Sequence, residues 1–398
     1  MAQIYADFLL RLSLSAICVN LRHLRFLLSS MSQSPGRVRR VVLKIGTGIL
    51  TSGVGQLDTA KIMALGREVA ALRAAGLQVL IVSSGAVGLG MGKLGLTKRP
   101  GKLTSVQKCA AVGQSILIDT WQRAFNPFQL TVAQLLFTRD NLGPRGRHLA
   151  LKDLFEEIIS DGIIPVINEN DSVSVEELKF GDNDTLSALV ASLIGADLLI
   201  LLSTAPGLVD RQGTGKIIPV VERITPEIEA LAGGTESATA VGGMISKLSA
   251  AKIATRSGCG VIIAAGHDAA ILPRLLAGEA PCTFFVPEKI PLEMRKRWLA
   301  WFQHPAGTVR VDAGAERALR DKGGSLLAKG VSSVEGDFAA GDVVAIVGPT
   351  GQVVARGITQ FSAEEAAAIA GKTSAEISKK FPGRKKLDLI HRDSLVVL

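Results

Sequence analysis

Between Val166 and Leu202 the chain reads VINENDSVSVEELKFGDNDTLSALVASLIGADLLILL, apolar at both ends and dense in acids and amides between them. Asn168, Asp171, Asp182, Asn183 and Asp184 follow the end of one apolar run and precede a helical pattern, the place where open α/β folds bind ligands. Three other segments carry matching chemistry. KIGTG sets Lys44 ahead of Gly46, Thr47 and Gly48, a loop whose N–H groups can approach an anion without Cβ obstruction. SSGA places Ser84 and Gly85 at a tight strand-to-helix turn. VGGMISK, from Val241 to Lys247, opens a helix with two glycines and puts a lysine in its first turn, a good phosphate seat.

Two lysines, anion-binding turns and carboxylates suit phosphoryl transfer, in which catalysis is mainly positioning and neutralisation of charge. No histidine lies in any of the four segments. A hydroxyl acceptor would want a general base, whereas a carboxylate, already ionised at neutral pH, would not. The obstacle would then be repulsion between two anions, relieved by Lys44, Lys247 and Mg²⁺.

Each segment alone has a plainer reading. Glycine after a strand is usually only a turn, a lone lysine is usually solvated, and Asp184 suits the N-cap of the helix that follows it. Capping does not account for the acids and amides of NEND as well. No G-x-x-x-x-G-K-[ST] is present, and the one G-x-G-x-x-G, Gly90, Gly92 and Gly95, lies several residues past its strand without the acid that pattern needs.

These segments must be positioned by the elements around them. VRRVVLKIG reads as a strand; Asp58 then caps a helix with Ile62, Leu65, Val69 and Leu72 on one face and Gly76 at its end, and LQVLIVSSG is a second strand. The alternation continues with a helix over Ser105–Phe125, a strand at QLTVAQLLF, a helix at RHLALKDLFEEIIS, and strands at IIPVIN, DLLILLS and GVIIAAG. Helices over Thr185–Ile194 and Met244–Arg256 separate the last three strands. Near-continuous apolar strands alternating with helices imply an α/β fold, a mostly parallel sheet sandwiched by helices, over residues 37–301. After a linker at 302–307 the pattern changes to short alternating strands, DVVAIV and QVVARGI about the turn GPTG, with a helix at GAERALRDKG. Residues 308–382 therefore read as a small mixed-β domain, and 383–398, with the basic stretch GRKKLD, as a solvated tail.

At 398 residues and 47% hydrophobic content the chain can fill two cores. The net charge is +9, but residues 1–40 hold six arginines against Asp7 alone, so the rest is only mildly basic. The four widely separated cysteines argue against a zinc site or disulfide framework and fit a reducing cytosol. Residues 1–36 form an N-terminal extension whose apolar run, Leu12–Leu21, is too short to span a bilayer. It reads as the product of an upstream start codon, with Met31 the working one, or else as an organelle transit peptide.

The motifs VVLKIGTGIL, VLIVSSGAVGLG, AAVGQ, IIPVINENDSV, FGDNDTLSALVA, GADLLILL, GGMISK and PLEMRKRW, followed by GSLLAKGV, together resemble the glutamate 5-kinase family of the long bacterial form. That family joins an amino-acid kinase domain to a C-terminal PUA domain, and the likeness runs in order from about residue 37 to 390. It implies ATP- and Mg²⁺-dependent phosphorylation of the γ-carboxylate of L-glutamate, the first step towards proline, in the cytoplasm. By motif match Lys44 and Lys247 stabilise the transferring group and Asp184 orients them. Ser84, Gly85, Asn168, Asp171, Asp182 and Asn183 form the glutamate side. Lys44, Gly46, Thr47, Gly48, Ser203, Thr204 and the run Val241, Gly242, Gly243, Met244, Ile245, Ser246, Lys247 form the ATP side. No protein-held metal is implied; Mg²⁺ arrives mainly on the nucleotide phosphates. Homo-oligomers, feedback inhibition by proline and hand-over of a labile product to a γ-glutamyl phosphate reductase are also implied. STAPGLVD, Ser203–Asp210, departs from the family pattern: Thr204 and Val209 stand where an acid and an aromatic are usual.

Kinases of the same fold for acetylglutamate, aspartate, carbamate or UMP are a competing expectation, against which the NENDSV and GDNDTLSAL pair and the PUA-like region argue. RNA binding is a third. Residues 308–398 carry thirteen Lys and Arg against eleven acids and no aromatic stacking platform, which speaks against it.

Overall fold

The computed structural model describes residues 38–53, 55–143, 145–174, 183–211, 213–233, 243–384 and 386–398. The expectations placed on residues 1–36, Asp182, Val241 and Gly242 fall outside them. The chain divides into two compact units, one of residues up to 141 and 146–291, the other of residues 142–145 and 292–398.

The first unit is built on an eight-stranded sheet of β1 (Arg40–Ile45), β2 (Gln78–Ser83), β3 (Val132–Phe137), β4 (Ile164–Glu169), β5 (Leu198–Ser203), β6 (Val220–Val221), β7 (Gly260–Ala265) and β8 (Cys282–Phe285). Their order across the sheet is β3-β4-β2-β1-β5-β7-β8-β6. The six strands from β3 to β7 run parallel. β8 joins β7 antiparallel and carries β6 beside it, an edge the sequence reading did not contain. With two and four residues, these strands are too short to show a period.

The helices are α1 (Thr59–Ala74), α2 (Ala86–Lys93), α3 (Leu103–Phe125), α4 (Arg145–Ser160), α5 (Asn183–Ile194), α6 (Met244–Arg256) and α7 (Ile271–Leu276). Asp58 caps α1 by accepting from the Lys61 N–H, and Gly76, Gly162, Gly195 and Gly258 follow their helices with positive φ. Strand alternation divides β1 between the two faces of the sheet. Val41, Leu43 and Ile45 join the core formed with α1, α3 and α7. Lys44 belongs to the opposite set, and α5 is the helix that packs on β1 there. α5 is buried at Asp184 and from Leu186 to Ile194, and α6 lies against it.

The second unit contains β9 (Gly307–Val311), β10 (Leu326–Leu327), β11 (Val331–Gly336), β12 (Val343–Val347), β13 (Val353–Ile358), β14 (Asp388–Ile390) and β15 (Leu395–Val397). Five of them form a mixed sheet in the order β11-β9-β12-β13-β15, and β10 pairs with β14. Helix α8 (Ala313–Lys322) is capped by Asp312 and ends at Gly323 in the left-handed conformation.

Two sequence boundaries are corrected here. Residues 383–398 are not a solvated tail: β14 and β15 are paired strands, and Leu389, Ile390, Leu395 and Val396 are buried. Three-residue strands give no alternation to read, and the charges around them conceal their burial. Arg384 of GRKKLD lies 3.8 Å over the Phe361 ring and pairs with Glu365 at 3.0 Å. Residues 292–301, assigned to the first domain, pack within the second unit, where Leu299 and Ala300 are buried with Val343 and Val396.

Candidate active site

Strands β1, β2, β4 and β5 are parallel neighbours, so their carboxyl ends at Ile45, Ser83, Glu169 and Ser203 lie on one edge of the sheet. Lys44 stands one residue before the end of β1, on the face covered by α5. There its Nζ lies 2.6 Å from Asp184 Oδ1. The other carboxylate oxygen, Oδ2, is 3.0 Å from Lys247 Nζ, in the first turn of α6, and also accepts from the Ser246 hydroxyl at 3.1 Å. All three charged groups are buried, Asp184 completely.

Burial by itself would push the Asp184 carboxyl up. The Lys44 and Lys247 ammonium groups beside it outweigh burial and hold it below the usual carboxylate range. Asp184 is thus an ionised clamp between two cations. The N-cap role expected for it does not hold: α5 begins at Asn183, so Asp184 is already inside the helix and its carboxylate is taken by the lysines.

Asn183, one residue earlier, organises the neighbouring strand ends. Its Nδ2 lies 3.1 Å from the Ser83 carbonyl, 2.8 Å from Ser84 Oγ and 2.9 Å from Asn168 Oδ1. Trp121 of α3 fixes Ser83 by donating Nε1–H to its Oγ at 3.0 Å. Asn168 continues to Gln114 of α3, donating to its Oε1 at 2.9 Å. Gly85 then starts α2 with φ 103°, a conformation that favours glycine.

Beside this chain of amides lies a cavity of about 370 Å³. Its polar wall includes Gln114, Gln134, Glu169, Asn170 and Asp171. Asp171 is therefore on the cavity, while Ser84, Asn168 and Asn183 form the network between the cavity and the lysine pair. Gln114 was not singled out as a site residue from sequence, although AAVGQ is among the segments that carry the resemblance; nothing local marks a glutamine within an amphipathic helix as anything but a helix residue.

The described residues expected on the nucleotide side lie at the ends of β1 and β5 and at the start of α6. The Gly46 N–H donates to the Leu202 carbonyl at 2.9 Å, and Thr47 to Leu50 form a single helical turn. A Cβ on Gly48 would stand 3.0 Å from Thr204 Cγ2, which brings the KIGTG loop and the STAPGLVD turn together. Ser203 Oγ accepts the Ala205 N–H at 3.1 Å. Gly243 is the N-cap of α6 with no side-chain cap, and Met244, Ile245 and Ser246 fill the turn before Lys247. Thr204 and Ile245 are exposed. The Lys44 and Lys247 ammonium groups lie at this same edge, and ammonium groups match phosphate oxygens.

The profile of the amino acid kinase family matches residues 39–265, and that of the PUA domain matches residues 307–381. The chain belongs to the amino acid kinase family. Within it, glutamate 5-kinases are among the relatives that it matches over nearly their whole length. That of Moorella thermoacetica is 43% identical over 366 residues, 91% of this chain and 97% of its own. That of Syntrophotalea carbinolica is 44% identical over 365 residues, 91% and 98% of the two chains. That of Methylococcus capsulatus is 43% identical over 374 residues, 93% and 100%.

Proposed function

We propose that the chain transfers the γ-phosphoryl group of ATP to the γ-carboxylate of L-glutamate, giving γ-glutamyl phosphate and ADP. The observation that carries this reading is the pair of buried lysines sharing the Asp184 carboxylate at the strand ends, beside an amide network and a polar-walled cavity.

A γ-carboxylate oxygen forms the new bond to phosphorus while the bond to the β-phosphate oxygen breaks and its electron pair leaves with ADP. No proton has to move, because the acceptor is already ionised. Asp184 has no base role, since two lysines hold it ionised. Lys44 and Lys247 offset the repulsion between the two anions and the charge spread over the transferring group. Asp184 fixes both ammonium positions, so that little reorganisation accompanies the reaction.

Mg²⁺ supplies further neutralisation of the phosphate oxygens when bound. Among the described residues no cluster of three His, Cys, Asp or Glu is placed to hold a metal. The two ammonium groups would hold nucleotide phosphates, and Mg²⁺ would be carried on those phosphates. On the glutamate side Ser84, Gly85, Asn168, Asp171, Asp182 and Asn183 hold the substrate. On the nucleotide side the Gly46–Gly48 turn, Ser203, Thr204 and residues 241–247 hold ATP.

Family resemblance supports the remaining parts: feedback inhibition by proline, homo-oligomers, a cytoplasmic location, and consumption of the acyl phosphate by a γ-glutamyl phosphate reductase. Among the described residues no helix is long and apolar enough to cross a membrane. No RNA role is assigned to the second unit.

The test is formation of γ-glutamyl hydroxamate from L-glutamate, ATP, Mg²⁺ and hydroxylamine, on protein starting at Met31, with Lys247→Ala as control. Hydroxamate that vanishes in the control and falls on adding proline supports the reading. Phosphorylation of acetylglutamate or UMP in preference to glutamate would overturn it.

A further inference from the structure

We propose that Gln114 is a specificity-determining residue of the substrate site, its side-chain Nε2–H donating to the α-carboxylate of the amino acid; this rests on the glutamate reading above.

The amide network has a fixed direction. Side-chain amides can be turned either way, and only groups of fixed polarity settle their orientation. Two such groups are present. The Glu169 backbone N–H can only donate, and it meets Asn168 Oδ1 at 2.9 Å. The Ser83 carbonyl can only accept, and it meets Asn183 Nδ2 at 3.1 Å. Asn168 therefore presents its oxygen to Asn183 and to its own strand, and its Nδ2 to Gln114. Gln114 must answer with Oε1, which leaves Nε2 as the outer end of the network.

That Nε2 is buried and has no hydrogen-bond partner among the described residues. Gln114 as a whole is only 9% exposed, and it lines the cavity together with Glu169, Asn170 and Asp171. A buried donor without an acceptor is costly, and turning the amide over would oppose its oxygen to nothing while facing two NH₂ groups at each other. The site is therefore built to receive an acceptor at Nε2. The acids Glu169 and Asp171 on the same wall suit an ammonium group, so an acceptor that comes with an ammonium beside it fits best. A zwitterionic amino-acid head has both. The network begins at Asn183, next to the Asp184 clamp, and ends at Gln114, so the carboxylate it reads is the one remote from the lysines.

The test compares L-glutamate with its α-amide, L-isoglutamine, which keeps the γ-carboxylate, as substrates of the full chain. Gln114→Glu retains an acceptor for Asn168 and replaces the donor with a carboxylate oxygen. It is expected to raise KM for glutamate about ten- to hundredfold, with kcat at saturation and KM for ATP little changed. The wild-type preference for glutamate over isoglutamine should shrink or reverse. Gln114→Met removes the donor without adding charge, and should raise KM less while flattening the preference. If Gln114→Glu loses cooperative thermal unfolding, the Met variant decides.

An unchanged preference in variants of an active wild type would overturn the proposal and leave the kinase reading standing. So would an equal loss for both substrates, or a parallel rise in KM for ATP, either of which marks Gln114 as structural only. A wild type inactive on every compound with a free γ-carboxylate would overturn both.

Discussion

Lys44 and Asp184, 140 positions apart in the chain, meet at 2.6 Å with both side chains almost fully withdrawn from solvent. A buried ion pair of this kind is weak evidence for stability, but breaking it from one side is expensive, because the remaining charge has no counter-ion. Asp184→Asn would leave two buried ammonium groups facing a neutral amide. The expected result is a loss of about 3–5 kcal/mol of folding stability, read by denaturant titration. Lys247→Met, by contrast, should lower kcat about 10²- to 10³-fold with a smaller effect on KM for glutamate, as for removal of one group that stabilises developing charge. A Met variant that kept full kcat would remove Lys247 from the chemistry.

Acid should weaken the fold through the same carboxyl. The two lysines hold Asp184 below its ordinary range in the folded chain. The unfolded chain therefore binds more protons between the two pKa values, and the slope of stability with pH is positive there. The stabilising contribution is complete above the ordinary carboxyl pKa of about 4 and is lost as pH falls towards the lower folded value. Thermal unfolding measured from pH 6 downwards should show a steeper fall for the wild type than for Asp184→Asn. Parallel curves would contradict the assignment.

Gly113 lets α3 approach α2 closely enough to bring Gln114 to the site. A Cβ there would stand 1.8 Å from the Ala86 carbonyl oxygen, and one on Gly90 would stand 1.8 Å from that of Cys109. Both obstacles are backbone, so neither can swing aside. Gly113→Ala is expected to destabilise the fold by about 1–3 kcal/mol or more, and to raise KM for glutamate by displacing its neighbour Gln114. Chemical denaturation and steady-state kinetics would check the two halves separately; an Ala variant with wild-type stability would show that the helices part at no cost.

Arg384 offers a test confined to the second unit. It lies against Phe361 and Phe381 and pairs with Glu365. Arg384→Ala is expected to cost about 1–2 kcal/mol from lost stacking, packing and ion pairing. A two-transition melting curve should lose only its second-unit component. No change would return residue 384 to the solvated tail that the local sequence suggests.

Much of the first unit was legible from periodicity. Asp58 and Gly76 mark the ends of α1 by capping and conformational rules that act over a few residues, and the structure has them in those roles. β6, β8, β14 and β15 were not legible, because strands of two to four residues are defined by the partner they pair with rather than by their own pattern.

By itself the sequence determined the types of chemistry available: lysines, carboxylates and glycine turns at the ends of apolar strands, in an order that resembles one kinase family. Those signals are local, set by side-chain charge and by backbone freedom within a turn. Only the tertiary structure decided which charge faces which. Strand alternation turned Lys44 towards α5 rather than α1, α6 brought Lys247 to the second oxygen of Asp184, and two backbone groups of fixed polarity oriented the amides that end at Gln114. Such pairings depend on distances of about 3 Å between residues far apart in the chain, and no local rule encodes them.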